Sequence, residues 1–340
     1  MRGCVRRLDK ELDRGETAVV VSVLMPVRNV GPYVAEAIRS VLDQHGVDLE
    51  LIVVFDVSTD NSLDVVSSFT DPRVRVLEGP RRGIGPAVNV ALDAARGDLV
   101  IRCDADDLLP VDRLAWQTAW MADHPEFGAV CGYFSTITST GQAVADLART
   151  DRGEEITEEL RSGVTRTHLG TFAIRTAILR EMGGHRKYFV TAEDIDLALR
   201  LGERTRVWYE PKHLYIYRLH DSSITHSQVR EEREFFENTA REFQRQRLAT
   251  GADDLDRGRP PRPPERHSGR PSKAWEQIQG FLTNKAWSAY ESGARVKALL
   301  LGARAFLVRP THREAWRNIV VLTIKCLWPG RWPFRRGGDG

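Results

Sequence analysis

The sequence predicts an α/β fold, a mostly parallel central sheet with helices on both faces, followed by a helical C-terminal region. Three observations carry this. Apolar, largely β-branched runs recur at residues 19–26, 49–55, 73–77 and 99–103; such continuous runs suit strands buried on both faces. Helical patterns separate them, and strand–helix alternation argues for parallel pairing through crossovers. The last run ends in three carboxylates within four positions, Asp104, Asp106 and Asp107, and open α/β sheets keep their ligands at the carboxyl ends of their strands.

In chain order, Pro32 opens a helical pattern that puts Val34, Ile38, Val41 and Leu42 on one face. The second strand ends at Asp56, and Asp60 or Ser58 caps the helix after it. Residues 86–95 read as a helix closed by Gly97. Pro110 starts a further helix carrying Leu114, Trp116 and Trp120, and residues 128–137 return as a strand into a hairpin at 138–141. There the alternation breaks. Residues 154–161, 176–182 and 192–201 look helical; 168–174, 207–209 and 214–219 are strand candidates. A long charged helix covers 228–248, and residues 251–272, rich in Pro, Arg and Asp, read as a disordered or extended linker. Three more helices are expected over 275–289, 293–308 and 313–327.

Composition narrows the function classes. At 41% hydrophobic and 28% charged residues the chain has an ordinary globular balance, and a net charge of +2 gives no argument for nucleic acid. Cys4, Cys103, Cys131 and Cys326 lie far apart without metal-ligand spacing, which suits free thiols in a reducing cytosol. Residues 1–16 lack the apolar core of a signal peptide, and no run reaches the roughly 18 apolar residues of a spanning helix. The expected location is therefore cytoplasmic. The C-terminal end is basic, and Trp328, Trp332 and Phe334 interleave with Arg331, Arg335 and Arg336. That pattern suits peripheral contact with an anionic membrane surface; the alternative is helices packed on the main domain with an unstructured end.

Several groups carry chemistry. Three anions so close together repel one another unless a cation relieves them. A divalent metal shared with a phosphorylated ligand would do so, since Mg²⁺ takes one or two carboxylates together with phosphate oxygens; a single Asp here is equally explained as a helix start. Asp56, at a neighbouring strand exit, could accept a hydrogen bond from a nucleobase. The basic, Gly-containing turn over residues 81–89 suits a diphosphate, but it is not the dinucleotide-binding fingerprint. Glu193-Asp194, taken alone, is the acidic first turn of a helix.

Taken in order, residues 21–29, Asp56-Val57-Ser58-Thr59-Asp60, the turn 85–89, Asp104-Ala105-Asp106-Asp107 and Glu193-Asp194 resemble the motifs of glycosyltransferase family 2, over about residues 19–225. These are inverting enzymes of the GT-A fold that use nucleotide-diphosphate sugars. The resemblance implies a nucleotide-binding half over about residues 19–110 and an acceptor half over about 111–248; around it the composition reads as a polar lead-in over 1–18, the linker over 249–272, a helical region over 273–327 and the basic aromatic tail over 328–340. It places Pro26, Asp56, Arg82, Asn89, Asp104 and Arg218 at the donor. It places Asp106, with Asp104, Asp107 and His220, at a divalent metal (Mg²⁺ or Mn²⁺), and makes Asp194 the catalytic base, with Glu193 in support. His168 and residues 183–186 would line the acceptor side. The implied reaction moves a sugar, from a UDP-sugar first of all, to a hydroxyl of a glycan or lipid-linked acceptor in cell-surface polysaccharide or glycoconjugate synthesis. Phe55 and Val57 depart from the Asp and Gly common in the family, and Arg28 from a Tyr. Two alternatives are a catalytically silent nucleotide-sugar-binding relative and a sugar-phosphate nucleotidyltransferase; the latter lacks a Gly-rich, Lys-bearing loop after the first strand.

Overall fold

A computed structural model of the chain describes residues 20–148, 150–223, 230–264, 271 and 273–327. Four parallel strands, β1 (Val20–Val27), β2 (Asp48–Phe55), β3 (Val74–Glu78) and β4 (Leu99–Arg102), stand in the order β3-β2-β1-β4. Between them run α1 (Val34–Leu42), α2 (Ser62–Ser67) and α3 (Ile84–Ala94). The continuous apolar runs are explained by burial on both faces. Val21, Val23 and Met25 of β1 pack with Val34, Ile38 and Val41 of α1 on one side; Leu24, Ile52 and Val54 meet Ala87, Val88 and Ala91 of α3 on the other. Neither capping candidate is the N-cap of α2, which is Asn61; Asp60, one residue before it, accepts the N–H of Ser62, the first helical residue, at 3.1 Å.

The second half turns the sheet mixed. After α4 (Arg113–Asp123), β5 (Ala129–Thr138) folds back as the expected hairpin onto β6 (Ala143–Asp146). The short β8 (Ala173–Arg175) is inserted antiparallel between β4 and β5, and β9 (Val207–Leu219) lies parallel to β5. Three expectations change here. Residues 154–161 are helical only as α5 (Thr157–Arg161), because Glu154–Glu155 form an edge strand, β7, against β9. The 168–174 stretch begins as a 3₁₀ turn, Leu169–Thr171, with the His168 ring accepting the Gly170 N–H. The two strand candidates at 207–209 and 214–219 are one strand, whose register against β5 shifts between Cys131 and Tyr133 and again between Tyr133 and Phe134. Gly132 permits the first shift: a Cβ there would stand 2.4 Å from the Lys212 carbonyl oxygen.

After α6 (Thr176–Glu181) and α7 (Glu193–Arg204) comes the long α8 (Arg230–Thr250). The start of the expected linker is structured. Asp253 is fully buried and ion-paired to both Arg186 and Arg247, so this polar stretch is pinned by charge as well as by Leu255, which packs on the cluster of Phe189, Phe236 and Phe243. Helices α9 (Ala274–Glu291), α10 (Arg295–Val308) and α11 (Arg313–Leu327) follow, and Ala274, Ile278 and Leu282 of α9 pack against Val144, Ala145 and Leu219 of the sheet. Cys103, Cys131 and Cys326 are buried free thiols. Cys4 and the aromatic–basic stretch beyond Leu327 lie outside the described residues.

Candidate active site

A cleft of about 550 Å³ opens at the carboxyl ends of β1, β2 and β4 and at the N-termini of α3 and α7. Pro26, Asp56, Ile84, Asp104, Asp106 and Asp194 all line it. The loop after β4 is fixed from beneath. The Tyr215 hydroxyl accepts the Asp104 N–H at 3.1 Å and donates to Asp107 at 2.8 Å, while Leu108 and Ile216 exchange two backbone hydrogen bonds. Asp107 is consequently fully buried, its second oxygen accepting the Arg218 N–H at 2.7 Å. Expected at the metal, it instead anchors the loop. Burial, with the charges of Asp106 and Asp104 beside it, pushes its carboxyl well above the usual range.

Asp104 is held by a residue the sequence did not single out. Arg102, the last residue of β4, donates to both Asp104 oxygens at 2.7 and 3.2 Å and to Glu193 at 3.2 Å. Burial works against its charge, but Asp104 and Glu193 hold it cationic. A lone arginine closing an apolar run before Asp104 was the only signal. Glu193 is thereby committed to a buried hydrogen bond from Arg102, whereas Asp194 is half-buried on the cleft, one oxygen accepting the N–H of Ile195 at 2.9 Å.

Burial pushes the Glu193 carboxyl up to about 7, with Arg102 pulling it down and Asp194 pushing it up. Between its ordinary 4.5 and about 7 the folded chain therefore holds a proton that the unfolded chain has released. Stability from this group is full below that window and declines as pH rises through it. Glu193→Gln is expected to flatten that decline in urea-unfolding midpoints measured across the window; an identical slope in both proteins would remove Glu193 as its source.

Asp106 faces the cleft with His220 behind it, Nε2 to Oδ2 at 2.9 Å. His220 is 4% exposed, bonded through Nδ1 to the Ser222 hydroxyl at 2.8 Å and set against the Tyr33 ring. It is placed to orient Asp106, not to line the cleft. Arg218, expected at the diphosphate, turns away: its Nε donates to the Asp106 carbonyl at 2.9 Å and its Nη2 to Glu36 at 2.7 Å. Asn89, expected at the donor, instead clasps the backbone of His185, donating to its carbonyl and accepting its N–H, each at 2.8 Å. Arg82 is exposed outside the cleft, which its neighbours Gly83 and Ile84 line. His168, Tyr217 and Arg233 complete the wall near Asp194; Arg233 belongs to a helix with arginines on several faces, so no pattern marked it.

The site suits a divalent cation only in partnership with a ligand. Among the described residues no group of three or more His, Cys, Asp or Glu could hold a metal unaided. Asp106, and Asp104 in exchange for part of its Arg102 contact, would be the one or two carboxylates Mg²⁺ takes when phosphate oxygens complete its shell. Ser223, also on the cleft, has a buried hydroxyl without a hydrogen-bond partner among the described residues, a group open to a phosphate oxygen.

Comparison with known proteins agrees with this geometry. The sequence profile of "Glycosyl transferase family 2" matches residues 22–189. Chondroitin synthase and hyaluronan synthase of Pasteurella multocida are each 29% identical over 186 residues, 54% of this chain. The match spans only 19% of either relative's length. Among solved structures, S. aureus TarS 1-349 in complex with UDP-GlcNAc superposes with a TM-score of 0.56 at 18% identity, over 90% of this chain and 81% of that one. The α/β domain has the GT-A fold, and over residues 22–189 the chain belongs to glycosyltransferase family 2.

Proposed function

We propose that the chain transfers a sugar from a nucleotide-diphosphate sugar, UDP-linked in the first instance, to a hydroxyl of a glycan or lipid-linked acceptor, with inversion at the anomeric carbon. The observation that carries this is the division of one cleft. Asp56, Asp104 and Asp106 stand at the ends of β2 and β4, and Asp194 stands at the start of α7 with its carboxylate open to the same space. In an inverting transfer the acceptor hydroxyl attacks opposite the departing nucleoside diphosphate, so a base and a charge-offsetting group are needed together in one cleft.

Asp56 then binds the nucleobase, and the N-terminus of α3 at Gly83–Ile84 turns backbone N–H groups toward the diphosphate. Asp104 and Asp106 would hold Mg²⁺ or Mn²⁺, which when bound offsets charge on the leaving diphosphate. Asp194 takes the acceptor proton; Glu193, locked to Arg102, does not. The UDP-GlcNAc complex of TarS supports a uridine donor, and the two Pasteurella synthases support a polysaccharide product.

A thermal-shift titration with UDP, GDP, dTDP and CMP, each with and without Mn²⁺, tests the donor side, because a ligand that binds the folded chain raises its midpoint. UDP with Mn²⁺ is expected to give the largest rise, and Asp106→Ala to abolish it. No rise with any nucleotide would sink the proposal.

A further inference from the structure

Helices α10 and α11 leave an apolar surface uncovered. Seven of the fourteen large apolar side chains exposed among the described residues lie on these two helices. On α10, Val296, Leu300 and Leu307 are 74%, 64% and 68% exposed. On α11, Trp316, Val320, Ile324 and Leu327 are all exposed, at the three- and four-residue steps that make a stripe along one helix face. The stripes meet where the Phe306 and Trp316 rings contact edge to face at 4.6 Å. The opposite faces are already used: Ala298 of α10 and Leu322 and Cys326 of α11 pack with Ala286 and Ala289 of α9.

Charge identifies the occupant. From residue 292 to 327 the chain carries seven Lys or Arg and a single acidic residue, Glu314. Arg295 and Lys297 flank the α10 stripe, and Arg313 and Arg317 the α11 stripe, all exposed. The sequence directly after Leu327 continues the same chemistry with Trp328, Trp332 and Phe334 among three arginines. A second copy of this face would set like charges against each other, and a nucleic acid would offer the apolar stripes nothing. An anionic lipid surface satisfies both, taking apolar side chains at the acyl boundary and Lys or Arg at the phosphates.

We propose that α10 and α11 form a peripheral docking face for an anionic bilayer, lying in its plane. At 14 and 15 residues the helices reach about 21–23 Å, short of the roughly 30 Å hydrocarbon core, and no described helix is long and apolar enough to cross a membrane. The face is separate from the cleft, so its test does not depend on turnover.

The test is flotation of the full chain with phosphatidylcholine vesicles and with vesicles containing phosphatidylglycerol. The chain is expected to float with the anionic vesicles only, and Val320→Gln/Ile324→Gln to weaken this about tenfold without moving the thermal midpoint. Should that variant unfold, Leu300→Gln reads the same face from α10. Removing residues 328–340 is expected to leave binding that still depends on Ile324. No flotation of the full chain with anionic vesicles overturns the proposal. So does binding untouched by the stripe variants but lost with residues 328–340, or a stripe variant that only converts an oligomer to a monomer in sedimentation velocity.

Discussion

Asp194→Asn is expected to lower kcat by about 10²–10⁴-fold, the usual worth of a positioned general base, with nucleotide affinity unchanged. The substitution keeps the shape and the hydrogen bond to the Ile195 N–H but removes the proton acceptor. It also relieves Glu193 of a neighbouring negative charge, so no loss of stability should accompany it. Glu193→Gln serves as the comparison. Because Glu193 is spent on Arg102, its loss should act on the seating of Asp104 and so raise KM for the donor, with a smaller effect on kcat. Kinetics of both variants beside a nucleotide-binding isotherm decide the assignment. Normal turnover by Asp194→Asn, or collapse of nucleotide binding in it, would move the base elsewhere.

The largest stability effect is expected two residues further on. Asp196 is fully buried, accepting Arg200 Nε at 2.9 Å and Arg186 Nε at 3.1 Å. Asp196→Ala leaves Arg186 with Asp253, but Arg200 then keeps only the carbonyls of Met182 and Gly184. Burial already disfavours the Arg200 charge. An uncompensated buried cation costs about 3 kcal/mol or more, which in a domain of this size lowers the thermal midpoint by roughly 6–12 °C. Asp196→Asn should lie between, since it keeps an acceptor without the charge. A shift below about 1 kcal/mol in denaturant unfolding would show that Arg200 finds solvent or another partner. Since Asp196 lies two residues from Asp194 on α7, the same buried network fixes the start of the helix that carries Asp194 to the cleft.

The parallel half of the sheet was legible because each strand is buried on both faces, leaving an unbroken apolar run between helices. Asp104, Asp106 and Asp194, which line the cleft, were legible because they recur in the order of the family's motifs; singly, each is equally explained by a helix start. What was hidden is the direction of neighbouring side chains. Asp106 and Asp107 are adjacent and chemically equal, yet the Tyr215 hydroxyl and the Arg218 N–H turn Asp107 inward from more than a hundred residues away. Arg218 and Asn89 went to Glu36 and His185 by the same kind of distant pairing, and Arg102 gained its role only when α7 brought Glu193 beside it. The continuity of β9 hung on Gly132, on a different strand. Local pattern located the site; long-range hydrogen bonds chose which residues face it.

The most direct measurement is a crystal structure of the chain soaked with UDP and Mn²⁺ at saturating concentration. The expected result is a uracil ring beside Asp56, a diphosphate between the start of α3 and Asp106, and Asp194 across the open part of the cleft. Nucleotide density elsewhere on the molecule, with the ends of β1, β2 and β4 empty, would contradict a donor site in this cleft.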